Sequence, residues 1–377
     1  MSTSNPALVA HTHTHTHSGT YLLSHSVGLP LQDAQQAAEK AFWQPWQQAD
    51  GEIWIHWLAA IDNFRAQLAT LLNGEKGSFC PQTSLSSAVA KIIDSLSLNP
   101  SKKSILLSEE DFPSIAFALQ QAAGEGYALK FIPADSDLGD IDVWDQQMTA
   151  DVGMVLVTQV QSNNGRQLPV QKITELSRSK GILSLVDIAQ SAGILPISLA
   201  DWQADFVLGS CVKWIGGGPG AAFIWVNPEI IDRCEPKNVG WFSHENPFEF
   251  DIHHFRYAPD ALRFWGGTPS VYPYVVAGNS LEAVNRTGVE HIRAHNIMLA
   301  DKIIQALSPA VLVSPPEPEL RSGTLILHFA DRQAALIKRM QDQHIHFDSR
   351  AKGIRLSPHL CNSADQIDAL INCLVLS

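Results

Sequence analysis

Two stretches of the chain end in residue types able to do chemistry together. Leu185-Val186-Asp187-Ile188-Ala189-Gln190-Ser191-Ala192-Gly193 runs from apolar residues into an acid, and Asp205-Phe206-Val207-Leu208-Gly209-Ser210-Cys211-Val212-Lys213-Trp214 runs into a serine and a lysine. Each reads as a buried strand with a polar carboxyl end. In an open parallel sheet, ligands sit beyond those ends, so Asp187 and the Ser210–Lys213 segment would face one crevice. An acid and an amine delivered there suit a cofactor with a basic ring nitrogen at one end and an aldehyde at the other. The amine forms a Schiff base and later shuttles protons, while the carboxylate keeps the ring nitrogen protonated and the ring an electron sink. The spacing alone fits an ordinary salt bridge between two strand ends equally well.

The elements needed to position these groups are present. Short apolar runs at Ser104–Leu107, Leu129–Ile132, Met154–Thr158, Leu183–Asp187, Phe206–Gly209 and Ala222–Val226 read as strands. Helical patterns accompany them: Leu85, Ala88, Val89, Ile92, Ile93 and Leu96 form one face, and Val170, Ile173 and Leu176 another. Strands separated by helices predict an α/β domain over residues 78–272, with a mostly parallel sheet covered on both sides. Before it, residues 21–77 form a tryptophan-rich helical segment, with helical spacing from Trp54 to Leu72. After it, residues 273–377 read as a long helical region (about Pro273–Leu307), followed by a small α+β domain. Its expected parts are strands at Val311–Val313, Thr324–Phe329 and Gly353–Ser357, a helix near Arg332–Gln343 and a final helix. Residues 1–20 hold the alternating run His11 to His17, whose imidazoles could bind a transition metal but which reads as a disordered tail. No metal site is expected elsewhere.

Bulk properties narrow the function classes. Apolar residues make up 45% and charged residues 17% of the 377, the composition of a globular chain. A net charge of −12 with no basic stripe argues against nucleic acid as a partner. No apolar run is long enough to span a bilayer and no secretory signal is visible. The five cysteines, Cys80, Cys211, Cys234, Cys361 and Cys373, lack metal-site spacing, which fits free thiols in a cytoplasmic protein. The glycine run Gly216–Gly220 follows the lysine instead of opening a helix after a first strand. It reads as a turn that lets chain segments approach closely, not as a phosphate loop.

The segment from Asp187 to Gly220, with Lys213-Trp214-Ile215-Gly216-Gly217-Gly218-Pro219-Gly220, resembles the kynureninase branch of the class V aminotransferase superfamily. Further likenesses follow in order over about 340 residues. Leu23-Ser24-His25-Ser26-Val27-Gly28-Leu29 resembles the family's opening Asn-Ser-Leu-Gly turn, and Asp111-Phe112-Pro113-Ser114 its Phe-Pro-Ser/Thr segment. Gly240-Trp241-Phe242-Ser243-His244 resembles the Gly-Trp-Phe-Gly-His loop, and Arg263-Phe264-Trp265-Gly266-Gly267-Thr268-Pro269 the Gly-Thr-Pro-Pro loop. Gly353-Ile354-Arg355-Leu356-Ser357-Pro358 resembles the arginine strand of the small domain.

The resemblance implies the fold of type I pyridoxal 5'-phosphate enzymes and a homodimer with shared active sites. By it, Lys213 forms the Schiff base, Asp187 binds the pyridinium nitrogen and Phe112 stacks on the ring. Gln82 and Thr83, expected at the start of the amphipathic helix, and Ser210 hold the phosphate, and Gln190 lies beside the cofactor. Trp241 and Thr268 reach the phosphate region from the neighbouring subunit. Arg355 clamps the carboxylate of an amino-acid substrate, since a guanidinium fork fits it bidentately, and His25 and Ser26 lie on the substrate side. Cys361 follows the arginine strand, whereas relatives that draw sulfur from substrate carry their cysteine before it; Cys361 reads as structural.

Four positions depart from kynureninases. Val212 replaces the tyrosine before the lysine, Gln190 the histidine after the aspartate, Ile115 the acid ending the Phe-Pro-Ser segment and His25 the opening asparagine. The resemblance nevertheless implies kynureninase-like hydrolytic or eliminative side-chain cleavage, with amino-group transfer or epimerisation as the alternative. A non-catalytic scaffold is a further reading, against which the retained Lys213 and Asp187 argue.

Overall fold

A computed structural model describes residues 19–48, 51–96, 99–122 and 126–375. The histidine run lies outside the described residues. The described chain starts with the short strand β1 (Thr20–Tyr21), a helical stretch over residues 34–48 and helix α1 (Ile53–Leu72). Then come β2 (Phe79–Gln82), α2 (Leu85–Ser95), β3 (Ser104–Ser108), α3 (Pro113–Ala122), β4 (Ala128–Ile132), β5 (Val152–Thr158), α4 (Val170–Ser179), β6 (Leu183–Asp187), β7 (Phe206–Ser210) and β8 (Ala222–Val226). All six strands expected from the apolar runs are present.

The seven strands form one sheet in the order β2-β8-β7-β6-β5-β3-β4, in which β8 alone runs against the others. Strand β2 escaped the sequence pattern because Pro81 interrupts it. It lies at the sheet edge, where a residue without an N–H is tolerated. The central strands bury both faces, as their unbroken apolar runs require. In β5, Val155 and Val157 join one core while Met154 and Leu156 join the core on the opposite face. Registers Thr158↔Asp187 and Asp187↔Leu208 bring the carboxyl ends of β5, β6 and β7 to one level.

The long helical region is two helices, α5 (Tyr272–Thr287) and α6 (Val289–Ala306), divided at Gly288. There φ is +84°, a conformation that continues no helix and that glycine adopts without strain. Helix α5 packs on α1, with the Phe64 and Tyr274 rings 5.0 Å apart. The C-terminal unit has β9 (Leu325–Leu327), α7 (Gln333–Asp342), β10 (Ile345–His346), β11 (Asp348–Arg350), β12 (Gly353–Leu356) and α8 (Ala364–Val375). Its antiparallel sheet has the order β11-β12-β9. Residues 311–313 form no strand; Leu312 makes only an isolated bridge to Leu327.

This unit has its own core, including Leu299, Leu336, Met340, Ile354 and Leu370, and Leu22 from the other end of the chain belongs to it. Strand β1 pairs with β10, so Thr20, expected in the tail, is part of the fold. Leu22 accepts a hydrogen bond from Ser357 N–H at 3.0 Å. The opening segment is thereby fastened between the C-terminal unit and the large sheet.

Candidate active site

Beyond the carboxyl ends of β5, β6 and β7 lies a cavity of about 190 Å³ lined by Asp187, Lys213, Phe112, Gln190, Ser210 and the first turn of α2. The two stretches singled out by their chemistry therefore meet. Lys213 and Asp187 form no ion pair among the described residues; they influence each other across the cavity. The salt-bridge alternative is not what the fold builds.

Lys213 sits in the loop after β7, held by the opening segment. Gly28 N–H donates to the Val212 carbonyl at 2.8 Å. A Cβ on Gly28 would fall 1.9 Å from the Lys213 carbonyl oxygen, and one on Gly216 (φ +69°) 2.4 Å from that of Leu29. Only glycines permit this backbone-to-backbone approach, the role expected of the glycine run. Burial shifts the Lys213 amine below the ordinary lysine range, with Arg355 and Arg350 adding to the effect and Asp187 opposing it. A buried amine is held more readily in its neutral, nucleophilic form.

Asp187 is 5% exposed. Its Oδ1 accepts the Ala189 N–H at 2.7 Å, which leaves Oδ2 for a ring nitrogen. Burial raises its pKa; the Ala189 N–H and Lys213 pull the other way. The Phe112 ring, 38% exposed, lies with its centroid 5.8 Å from Lys213 Nζ. Pro113 opens α3 directly behind it, a position where the missing N–H costs nothing.

The helix start differs from expectation. Ser84 is the N-cap of α2, closing a reciprocal box with Ser87 at 3.2 Å in each direction. Gln82 ends β2, and its side-chain amide donates to the Phe264 carbonyl at 3.1 Å. Thr83 is exposed, and its hydroxyl meets that of Ser87. Neither Gln82 nor Thr83 lines the cavity; Ser84, Leu85 and Ser86 do. The Leu85 and Ser86 N–H groups, which precede the first intrahelical bonds, and the Ser86 and Ser210 hydroxyls make an anion-binding end. The serine-rich run before the apolar face was the available signal for this cap.

Other expected residues lie further out. Trp241 packs on Trp54 (rings 5.5 Å apart) and Phe242, and Thr268 is exposed; neither lines this chain's own cavity. Ser26 is exposed, and its N–H caps the turn at Leu23. His25 is 1% exposed, with Nδ1 2.6 Å from Ser357 Oγ and Nε2 3.0 Å from Asp348 Oδ1. Arg355 is 2% exposed; its Nε donates to Asp348 Oδ1 at 2.7 Å, its Nη2 to Asp348 Oδ2, and its Nη1 to the Ser162 carbonyl at 3.0 Å. The arginine expected to await a substrate carboxylate already holds an internal one. Asp348 carries no motif signal; only the β11–β12 register brings it opposite Arg355.

Asp111, next to the ring-bearing Phe112, is half-buried. It accepts from Ser108 N–H at 2.8 Å and from Gln161 Nε2 at 3.2 Å, and burial pushes its pKa up to about 6. Cys361 is buried with its thiol pushed up to about 12, which fits a structural residue. Among the described residues no His, Cys, Asp or Glu cluster could hold a metal ion, and no helix is long and apolar enough to cross a membrane.

The residues present suit pyridoxal 5'-phosphate: an amine depressed by burial, an acid with an uncommitted oxygen, an aromatic face beside the amine and anion donors at a helix start. Sheet and site together define a fold type I pyridoxal-phosphate enzyme. The chain belongs to the class V aminotransferase family, whose model matches residues 53–370. It is 28% identical over 320 residues to an uncharacterized aminotransferase, YcbU, of Bacillus subtilis, covering 84% of each chain. It is 32% identical to the kynureninase of Deinococcus radiodurans over 69% of this chain and 62% of that one. A kynureninase of Shouchella clausii is 26% identical over 90% and 83% of the two chains. Among solved structures, a mutant of the C-DES protein with glycine linked to its cofactor superposes with a TM-score of 0.85 at 20% identity over 98% and 97% of the chains. A cysteine desulfurase from Thermococcus onnurineus gives 0.83 at 16% identity over 94% of both. These last two likenesses concern the fold.

Proposed function

We propose that the enzyme acts on an α-amino acid and cleaves a bond in its side chain, with Lys213 as the group that moves protons on the substrate side. One observation carries this reading: among the residues lining the cavity, Lys213 and Asp187 are the only titratable ones. The cofactor, when bound, supplies the electron sink that makes the substrate's α-proton acidic. Asp187 holds a proton at the ring nitrogen, Phe112 fixes the ring plane, and the start of α2 with Ser210 anchors the phosphate. Lys213, whose amine burial shifts toward the neutral form, is then the base that takes the α-proton and returns it.

Val212, Ile115 and Gln190 line the same cavity and cannot exchange a proton near neutral pH. That absence favours elimination, for which one base suffices, over hydrolysis, which needs a second group to activate water. Amino-group transfer is the second reading. It too needs a single lysine, and the likeness to the Bacillus protein over 84% of both chains supports it.

Product analysis with L-kynurenine, L-cysteine and L-alanine tests these readings. Anthranilate or sulfide release without an added keto acid supports cleavage. Turnover only when an acceptor keto acid is supplied supports transfer. Purified protein with no visible imine band that borohydride abolishes would return the scaffold reading.

A homodimer fits the surface. Trp43, Trp46 and Tyr272, with Phe248 and Phe250, are each 40% or more exposed, an apolar band adjoining Trp241. In this reading Trp241 and Thr268 complete the partner's cavity. Light scattering of the holoenzyme that returns a monomer would overturn it.

A further inference from the structure

We infer that Lys91 is a positioning residue that ties the phosphate-binding start of α2 to the 264–268 loop, so that one helix serves the cofactor sites of both subunits. The inference rests on the shared-site reading of the homodimer above and deepens it.

Lys91 is a cation without an acid. It lies in the middle of α2, half-buried, and forms no ion pair among the described residues. Its Nζ donates to the Phe264 carbonyl at 2.9 Å and to the Trp265 carbonyl at 2.7 Å. These carbonyls end the 3₁₀ turn Ala261–Phe264, where a helix leaves acceptors unfilled and a cation is favoured. The Gln82 amide donates to the same Phe264 carbonyl at 3.1 Å, which gives that residue a role away from the phosphate. Burial shifts the Lys91 amine below the ordinary lysine range, the cost of holding a charge there without a carboxylate. A methionine in its place would pack on the loop without that cost. What the ammonium adds is the fixed position of two carbonyls.

Those carbonyls set the path of the next residues. Gly266 N–H donates to Ser243 Oγ at 2.8 Å, and Phe242 N–H donates to the Gly266 carbonyl at 3.0 Å. A Cβ on Gly240 would fall 2.6 Å from Gly267 N, so loops 240–243 and 264–268 run backbone to backbone. Trp241 and Thr268, the two residues read as completing the partner's cavity, thus stand on one platform, with Thr268 exposed at its edge. Lys91 is the link from this platform to α2. Ser86, which lines this chain's own cavity, precedes it by about 7–8 Å along the helix axis. In a two-fold dimer each α2 therefore holds one phosphate with its start and, through Lys91, aims Thr268 at the phosphate of the other site.

The test is fluorescence titration of the full-chain apoenzyme with pyridoxal 5'-phosphate and with pyridoxal, which lacks the phosphate. The wild-type protein should prefer the phosphorylated form. Lys91→Met should shrink that preference about tenfold, the scale of one hydrogen bond to a charged group, while pyridoxal itself binds as before. Lys91→Arg, which keeps the charge, should restore part of it. Thr268→Val should cause a similar loss, and the double variant should lose no more than either single one, because both remove the same contact. Gln82→Met, which loosens only the Phe264 carbonyl, should cause a smaller loss of the same kind and carries the test if Lys91→Met does not fold. An unchanged preference in these variants, or losses that add fully in the double variant, overturns the assignment. A wild-type protein that scatters light as a monomer instead sinks the shared-site reading, and this assignment with it.

Discussion

Replacing Arg355 with Met keeps much of the side chain's bulk and removes three hydrogen bonds, two of them to Asp348. Asp348 is left with His25 at 3.0 Å and Arg350 at 3.8 Å. Breaking a buried ion pair by removing one partner costs about 3–5 kcal/mol. Because the Asp348 side chain is 29% exposed, water recovers part of that loss, and about 2–4 kcal/mol is expected. Unfolding entropy scales to about 0.8 kcal/mol per degree for a chain of 377 residues, so the melting temperature should fall by about 3–5 °C at pH 7.

The pH dependence gives the reasoning its sign. In the wild-type protein burial pushes the Asp348 carboxyl up, but Arg355 and His25 prevail and hold it below the usual carboxylate range. Its contribution is therefore present above the unfolded pKa near ~3.9 and is lost as pH falls through the lower folded value. Without Arg355 burial prevails, so the variant's penalty is greatest at neutral pH and is relieved once Asp348 protonates. The gap between wild type and variant should narrow below about pH 5. Adding Asp348→Asn to Arg355→Met removes the orphaned charge and should recover half or more of the loss. Thermal melts followed by circular dichroism from pH 4 to 7 measure all of this. A gap that does not change with pH, together with a double variant no more stable than the single one, would refute the argument.

Three further outcomes follow from the site. Ser86→Asp puts a negative charge at the anion-binding start of α2 and should weaken cofactor reconstitution at least about tenfold, whereas Thr83→Asp, outside the cavity, should change it far less; fluorescence titration of apoenzyme compares them. Asp187→Asn should leave the cofactor bound but slow exchange of the α-proton of L-alanine with deuterated solvent by about 10²–10³-fold, the scale for losing a preorganised electrostatic partner, as proton NMR would read. Burial lowers the Lys213 pKa, so the neutral amine persists below the ordinary range; the rate at which apoenzyme forms the borohydride-sensitive band should rise with pH through a midpoint below ~10.4, and a midpoint at that value would count against a buried amine.

What the chain determines by itself is local. Unbroken apolar runs of five or so residues predicted six strands of the large sheet, because a strand buried on both faces must be apolar throughout. Asp187 and Lys213 were legible because Asp187 ends such a run and Lys213 comes three residues after another, and the carboxyl ends of parallel strands share one edge of a sheet. The Gly216–Gly220 run was legible because close backbone approach leaves a residue choice of one, whereas the same constraint on Gly28 emerged only from the packing of the opening segment. Strand β2 was hidden by Pro81, and α2 starts one or two positions later than expected because both Thr83 and Ser84 can cap a helix.

Only the tertiary structure decided which charges meet. His25 and Asp348 lie 323 residues apart in sequence, and Glu110 and Lys352 lie 242 apart. Whether Arg355 waits for a ligand or holds Asp348 depends on the register of a short hairpin, which periodicity does not encode. A one-residue slip of β11 would place Asp348 and Arg350 on the opposite face and leave the buried guanidinium unmatched. Local pattern thus predicts which elements form and which groups end them; the pairing of charges is set by packing between segments that no sequence window spans.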